Sequence, residues 1–444
     1  MKNNNNGVLA GLDRRTFLKL GMAAGAATTL SMQRTQARTI QTQANILIVG
    51  AGAAGIAMAN RLHRSAQGAN ITLVGARTTH LFQPGYTLIA SGLWNKNKVV
   101  TQTEDWLPGG IVWLAEDAVA FDAENKKVRL QGGDTLGYDL LVVATGCQLN
   151  YDQIEGMSAE LIGTQGIGSV YAGPDYAERT SRVIDQYIAD GEGRAIFTLA
   201  DTPIKCAGAP LKMTFTSLDR FERSGKRASM EVSFNTPYKN RVFSVPFYND
   251  FVLNRWQEQG VEVKDEQVLT AIDASARKAS FRLANGSVVT QSYDFIHVVP
   301  PMSAPDSLKD SDLVWQVGSN AGNWLEADKF TLQHGRYPEV FSVGDVAGVP
   351  FGKTAASVKK QVPVVEQNIL SYLEDGELTA AWDGYTSCPL ITAIGKAMLA
   401  EFGFDGKFLP SFPFIDPKKE SWAVWLMEEK MLQPAYYAML DGRV

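Results

Sequence analysis

The chain has 444 residues, 45% of them hydrophobic and 20% charged, enough for two or three domains with cores of their own. Its 42 basic and 47 acidic side chains give a net charge of −5, and with no basic cluster in an acidic body this argues against a nucleic-acid partner. Four scattered histidines and three cysteines outside any CxxC pair argue against a metal site and against a disulfide framework.

In chain order, Asp13-Arg14-Arg15-Thr16-Phe17-Leu18-Lys19 is a twin-arginine segment, followed by a weakly apolar run from Leu20 to Leu30 and small residues at Thr35-Gln36-Ala37. The pattern is that of a bacterial twin-arginine export signal. It predicts export to the periplasmic side and peripheral placement on the cytoplasmic membrane, with residues 1–37 outside the fold.

Asn45-Ile46-Leu47-Ile48-Val49 reads as a buried strand, Gly50-Ala51-Gly52-Ala53-Ala54-Gly55 as the following turn, and Ile56 to Leu62 as helix. With the strand Ile71-Thr72-Leu73-Val74 this makes a βαβ unit carrying G-x-G-x-x-G where a dinucleotide pyrophosphate needs it. Gly50 permits the tight turn, Gly52 lets the pyrophosphate approach, Gly55 lets helix and strand pack, and the helix N-terminus favours the phosphate charge. A ribose-binding carboxylate is expected after the second strand, but Gly75 follows Val74.

Tyr138 to Val143 forms another strand, ending at Ala144-Thr145-Gly146. A second α/β unit follows from about Gly193. Its first strand, Ala195 to Ala200, runs into Asp201-Thr202-Pro203-Ile204-Lys205-Cys206-Ala207-Gly208, with no glycine fingerprint for a nicotinamide nucleotide. Val340-Phe341-Ser342-Val343-Gly344-Asp345 returns to the first unit and delivers Asp345 toward ribityl hydroxyls. Lys353-Thr354-Ala355-Ala356 opens a helix whose positive end can face a flavin edge. The fold class is therefore α/β, a tandem Rossmann-like, two-dinucleotide-binding flavoprotein fold with a C-terminal amphipathic membrane-associating region. The expected segments are a signal peptide at 1–37, an FAD-binding domain in two parts at 44–150 and 301–375, an inserted second domain at 151–300, and a C-terminal region at 376–444. No internal repeat is evident in the sequence.

Several segments carry a specific resemblance over roughly residues 44–440. They are His80-Leu81-Phe82-Gln83-Pro84-Gly85-Tyr86-Thr87, Asn150 to Gly156, Thr202 to Pro210, His297-Val298-Val299-Pro300-Pro301-Met302, Lys353 to Ala356, and Tyr385-Thr386-Ser387-Cys388-Pro389-Leu390-Ile391-Thr392. On these the chain resembles the sulfide:quinone oxidoreductase family, in particular the branch that includes the mitochondrial enzymes. The resemblance implies FAD as cofactor, sulfide as donor, and ubiquinone or menaquinone as acceptor at a membrane face; it leaves a homo-oligomer open. It implies that Cys206 and Cys388 are the redox pair, with Cys206 on the flavin side and Cys388 carrying the persulfide. It also puts Pro84 and Pro301 beside the flavin, adding to Gly50, Gly52, Ala53, Gly55, Thr145, Gly146, Gly344, Asp345, Lys353 and Thr354 as cofactor-binding residues.

The chemistry needs two cysteines because sulfide oxidation must both park a sulfur atom and move an electron pair. Attack on a disulfide leaves a persulfide on one sulfur and a thiolate on the other, and the thiolate can donate to the flavin. Cys147, just past Gly146, reads as a buried structural thiol. His80 reads equally as a flavin neighbour or a core histidine, and His297 as no closer than one residue removed from the cofactor. Near the C-terminus, Trp422, Trp425 and Leu426 fall on one predicted helical face that Pro434 ends, flanked by Lys418, Lys419 and Lys430. Such a stripe suits a lipid headgroup region. Lys396, Phe414 and Trp422 are its candidate quinone contacts. Two other readings are a flavocytochrome sulfide dehydrogenase subunit, against which the aromatic helix counts, and an NADH:quinone reductase, against which the missing fingerprint counts. A non-catalytic flavin-binding protein is a third, opposed by the cysteine pair.

Overall fold

The computed structural model describes residues 38–443. Hydrophobic runs lacking alternation build its two parallel sheets, as expected of strands covered on both faces. The first begins with β1 (Asn45–Val49), α1 (Ala53–Ser65), β2 (Asn70–Val74) and β3 (Val112–Leu114). A three-stranded antiparallel meander follows, β4 (Ala118–Asp122), β5 (Lys127–Leu130) and β6 (Thr135–Gly137), and the chain re-enters the sheet as β7 (Leu140–Val143). All four residues of β7 are buried.

The second unit contains β8 (Ile167–Gly168), α2 (Pro174–Asp190), β9 (Gly193–Thr198), α3 (Ala209–Arg223), β10 (Met230–Asn235), α4 (Pro246–Glu258) and β11 (Val261–Lys264). Another three-stranded meander, β12 (Gln267–Asp273), β13 (Lys278–Leu283) and β14 (Val288–Ser292), precedes β15 (Phe295–His297). The first sheet is completed only afterwards by β16 (Val340–Ser342), giving the order β16-β7-β1-β2-β3; the second has the order β8-β15-β9-β10-β11. Every strand pairing in both is parallel. The two units therefore share one architecture, a five-stranded parallel sheet. The chain passes between them at Gln148–Leu149 and Met302–Ser303, which pair antiparallel.

The last part contains α5 (Ala355–Leu373), a hairpin of β17 (Thr386–Ala393) and β18 (Lys396–Phe402), α6 (Trp422–Leu426), a π-helical turn at Met427–Met431, and α7 (Leu432–Leu440). Here the sequence expectation needs correction. Pro434 does not end the helix, because it falls in the first turn of α7, where a missing amide donor is tolerated. The buried residues of α6 are Val424 and Trp425, not a Trp422–Trp425–Leu426 face. Among the described residues no helix is long and apolar enough to cross a membrane.

Candidate active site

The carboxyl ends of the first sheet open onto a cavity of about 840 Å³. Gly50, Gly52, Ala53, Pro84, Thr145, Gly146, Gly344, Asp345, Lys353 and Thr354 all line it. Gly50 has φ +117°, and a Cβ there would lie 2.2 Å from the carbonyl oxygen of Ala144. Gly52 is the N-cap of α1 and has nothing within 4 Å of where a Cβ would be, a cradle that an anion can occupy. Gly55 lies behind the cavity and closes the helix onto the strand: its Cβ would meet the Gly50 carbonyl oxygen at 1.8 Å. Gly75 replaces a carboxylate for a similar reason, since a Cβ would sit 2.6 Å from Ala51. Arg77, Glu116 and Asp117 line the same cavity.

At the other end Thr354 caps α5 by accepting from the Ser357 amide (3.1 Å), so that Ala355 and Ala356 present the helix N-terminus to the cavity. The Lys353 ammonium is not free there. It donates to the carbonyls of Asp345 (2.6 Å) and Ala347 (3.0 Å) and lies 3.4 Å over the Trp324 ring. Burial raises the Asp345 carboxyl and lowers Lys353 to about 8. The Thr145 hydroxyl is buried without a hydrogen-bond partner among the described residues. An open phosphate cradle, an orphaned hydroxyl and two helix N-termini on one elongated cavity fit FAD.

Across this cavity the second unit contributes the loop between β9 and α3. Cys206 stands in the left-handed region at φ +48°, a conformation that a non-glycine residue holds only when its surroundings impose it. Here the Cys206 amide donates to the Lys353 carbonyl (2.8 Å), and the neighbouring Lys205 amide contacts the Met302 sulfur at 3.3 Å. Cys388 comes from β17, opposite Ala400. The two thiols, 182 positions apart, are hydrogen-bonded to each other. Gly208 makes this approach feasible, for a Cβ would lie 2.2 Å from the Cys388 sulfur. The hydrogen bond from Cys388 pulls Cys206 below the usual thiol range, and the nearby Lys212 ammonium adds to this. The same bond, with burial, pushes Cys388 well above it. Cys206 also precedes the N-terminus of α3, a position that favours a thiolate. Cys388 lines a second cavity of about 290 Å³ as well, with Arg241, Phe243, Phe351 and Gly208 among its walls.

Cys147 lines the large cavity beside Met302 (Sγ–Sδ 3.9 Å), and burial pushes its thiol up to about 11. That suits a packed thiol better than a nucleophile. Pro301 is not on the cavity wall; its carbonyl accepts from the Asn150 amide at 2.9 Å. His80 is buried and hydrogen-bonded to the Tyr436 hydroxyl (2.7 Å), and His297 is buried with neither ring nitrogen partnered among the described residues.

The three sequence-derived quinone contacts are not on the cavity wall. Lys396 starts β18 at the hairpin turn, Phe414 is 70% exposed, and Trp422 is 40% exposed at the start of α6. The wall on that side consists instead of Phe412, Met427, Met431, Leu432, Tyr436 and Met439. Phe414 packs against the wall residue Phe412, with ring centroids 5.7 Å apart. Sequence reasoning also missed Lys212 and Glu428, which line the cavity beside the cysteines. The signal was there for Lys212, a lone charge in the otherwise uncharged stretch Ala209 to Leu218.

Comparison with known proteins agrees with this architecture. Residues 44–179 match the family described as pyridine nucleotide-disulphide oxidoreductase. The chain is 33% identical over 426 residues to the mitochondrial sulfide:quinone oxidoreductase of Mus musculus, covering 96% of this chain and 92% of that protein. It is 33% identical over 408 residues to the corresponding protein of Dictyostelium discoideum, covering 91% and 88%. The crystal structure of the sulfide:quinone oxidoreductase from Aquifex aeolicus shares the fold, with a TM-score of 0.74 at 19% identity over 90% of this chain and 92% of that one. These relatives correct the expected localisation. Two of them are mitochondrial, which points to mitochondrial import in place of twin-arginine export to the periplasmic side. The twin-arginine segment itself lies outside the described residues. On identity and coverage together, the chain belongs to the sulfide:quinone oxidoreductase family.

Proposed function

We propose that the protein oxidises sulfide to sulfane sulfur at Cys206 and Cys388 and passes the electron pair through FAD to a membrane quinone. The observation that carries the reading is the cysteine pair itself. Two thiols from distant elements meet on the wall of the large cavity, one biased toward thiolate and the other away from it. An asymmetric pair suits sulfide attack at Cys388, with Cys206 as the leaving thiolate, because the sulfur with the lower pKa leaves faster.

FAD, when bound, supplies the two-electron relay between thiolate and quinone. Gly50, Gly52 and Ala53 would hold its pyrophosphate, Thr145, Gly146, Gly344 and Asp345 its ribityl chain, and the N-terminus of α5 the edge of its ring. The smaller cavity gives Cys388 a separate approach for the acceptor of the sulfane sulfur, with Arg241 to attract an anion. On the far side, Met431 lines the large cavity and is 56% exposed, and Phe414 and Trp422 lie exposed in the same C-terminal segment. We assign this apolar mouth to the quinone and to a lipid surface from which it enters. The test is anaerobic titration of the purified protein with sulfide while the flavin spectrum is recorded. Stoichiometric bleaching, reversed by a short-chain quinone, is expected; a flavin untouched by sulfide would remove the reading.

A further inference from the structure

Beside the cysteine pair lies a charge pair shared by two elements distant in the chain. Lys212 of α3 is 2% exposed and Glu428 of the π-turn 3% exposed. The Lys212 Nζ is 3.5 Å from Glu428 Oε1, while Glu428 Oε2 is buried with no hydrogen-bond partner among the described residues. Both side chains line the cavity that Cys206 and Cys388 line. The carboxylate is delivered by a π-turn, a helical irregularity frequent at functional sites. The ionisable groups facing Glu428 are Lys212 on α3, Cys206 on the loop before it and Cys388 on β17.

A water-poor cluster with one ammonium balances one anion; a second anion there is costly. While the cysteines are joined, that anion is the Glu428 carboxylate. When sulfide opens the disulfide, an anion also appears at Cys206, and the balance must be restored.

We propose that Glu428 is the base that takes a proton from entering hydrogen sulfide, so that the cluster's single negative charge moves from the carboxylate to the Cys206 sulfur. The proposal rests on the reading of Cys206 and Cys388 as the sulfide-oxidising couple. Neutral hydrogen sulfide enters the apolar cavity at less desolvation cost than its anion. One S–H bond breaks and its proton joins a Glu428 oxygen. The sulfur bonds to Cys388 Sγ as the bond between Cys388 and Cys206 breaks, and that bond's electron pair leaves on Cys206. The products are a Cys388 persulfide that keeps the second hydrogen, a Cys206 thiolate and a protonated Glu428. Lys212 stays an ammonium throughout, and the net charge is unchanged. Burial raises the Glu428 carboxyl, with Lys212 acting against it, which is the environment of a proton acceptor that can retain its proton.

The test follows flavin bleaching by sulfide in an anaerobic stopped-flow instrument across pH, for the FAD-loaded wild type and Glu428→Gln. The wild-type rate should be flat between the range where Glu428 itself protonates and the range where hydrogen sulfide ionises, and fall above it as the neutral molecule is depleted. Glu428→Gln should be slower by about 10²-fold near neutrality, with a rate that climbs with pH as the hydrosulfide anion replaces the neutral molecule. In infrared difference spectra, sulfide should raise a protonated-carboxyl band in the wild type that Glu428→Gln lacks. A variant with the wild-type rate, or one slowed with the wild-type pH profile, overturns the proposal. Should the variant not fold, the absence of that band in sulfide-bleached wild type overturns it equally. A wild type that sulfide cannot bleach at all would instead remove the function on which the proposal rests.

Discussion

The two parallel-sheet units of this chain solve the same topological problem and then use the solution differently. In each, a central strand delivers the chain to the N-terminus of a helix at the carboxyl edge of the sheet, where α/β folds place ligands. After β1 the connection is a short glycine turn, Gly50 to Gly52, with open space beside the N-cap of α1. After β9 the connection runs ten residues, Leu199 to Gly208, carries Cys206 and is tied by hydrogen bonds to Lys353 and Met302. The first helix N-terminus faces a space suited to a phosphate; the second stands behind a cysteine sulfur. The lesson is that a helix N-terminus stabilises an anion of either kind. What differs between the two is whether the turn before the helix leaves a bare backbone cradle or places a cysteine there.

The sharpest way to break this comparison is to remove the sulfur. Cys206→Ser and Cys388→Ser should each lower sulfide-driven flavin reduction by on the order of 10⁴-fold or more, because residues acting as a unit fail together. Cys147→Ser should keep most activity. Anaerobic absorbance at the flavin band measures all three.

Filling the void of the first unit comes next. Gly52→Val should yield folded protein with FAD occupancy reduced at least about 10-fold, since a side chain occupies the pyrophosphate cradle. Absorbance ratios of the purified variant measure this, and a fully flavinated protein would refute the placement.

The second unit can be disturbed more gently. Gly208→Ala would put a methyl group 2.2 Å from the Cys388 sulfur. Displacing the pair should slow bleaching by roughly 10- to 100-fold at unchanged FAD content.

Acid should affect the stability of both units. His80 in the first and His297 in the second are pulled by burial from 6.5 to about 4 and about 3. Because both folded values are depressed, their neutral forms contribute fully above pH 6.5, and the contribution is lost as the pH falls toward those values. The denaturant midpoint should hold above neutrality and decline below it, by on the order of 3–5 kcal/mol per histidine once fully titrated. His297→Phe should make that decline shallower.

The smallest expected effect is none. NADH should leave the flavin oxidised over the time in which sulfide bleaches it completely, because the β9 loop offers no phosphate cradle. Rapid bleaching by NADH alone would return the second unit to an ordinary nucleotide domain.

What the sequence determined by itself was set by local rules. The glycine spacing from Gly50 to Gly55 reports one backbone turn, and the runs Asn45–Val49 and Leu140–Val143 report strands buried on both faces. Gly344-Asp345 and the Thr354 cap were legible for the same reason, since strand ends and helix caps are written within a few residues. The cysteine pair was legible only through resemblance, because nothing near Cys206 announces a partner 182 positions away. The tertiary structure alone decided the rest. It put Phe412, Met431 and Tyr436 on the cavity wall in place of Lys396, Phe414 and Trp422, because packing against the rest of the chain decides which side of a loop, hairpin or helix points inward. It joined Lys212 to Glu428, a pairing that no local pattern encodes, since a lysine and a glutamate far apart in the chain each read as surface until the fold removes both from water.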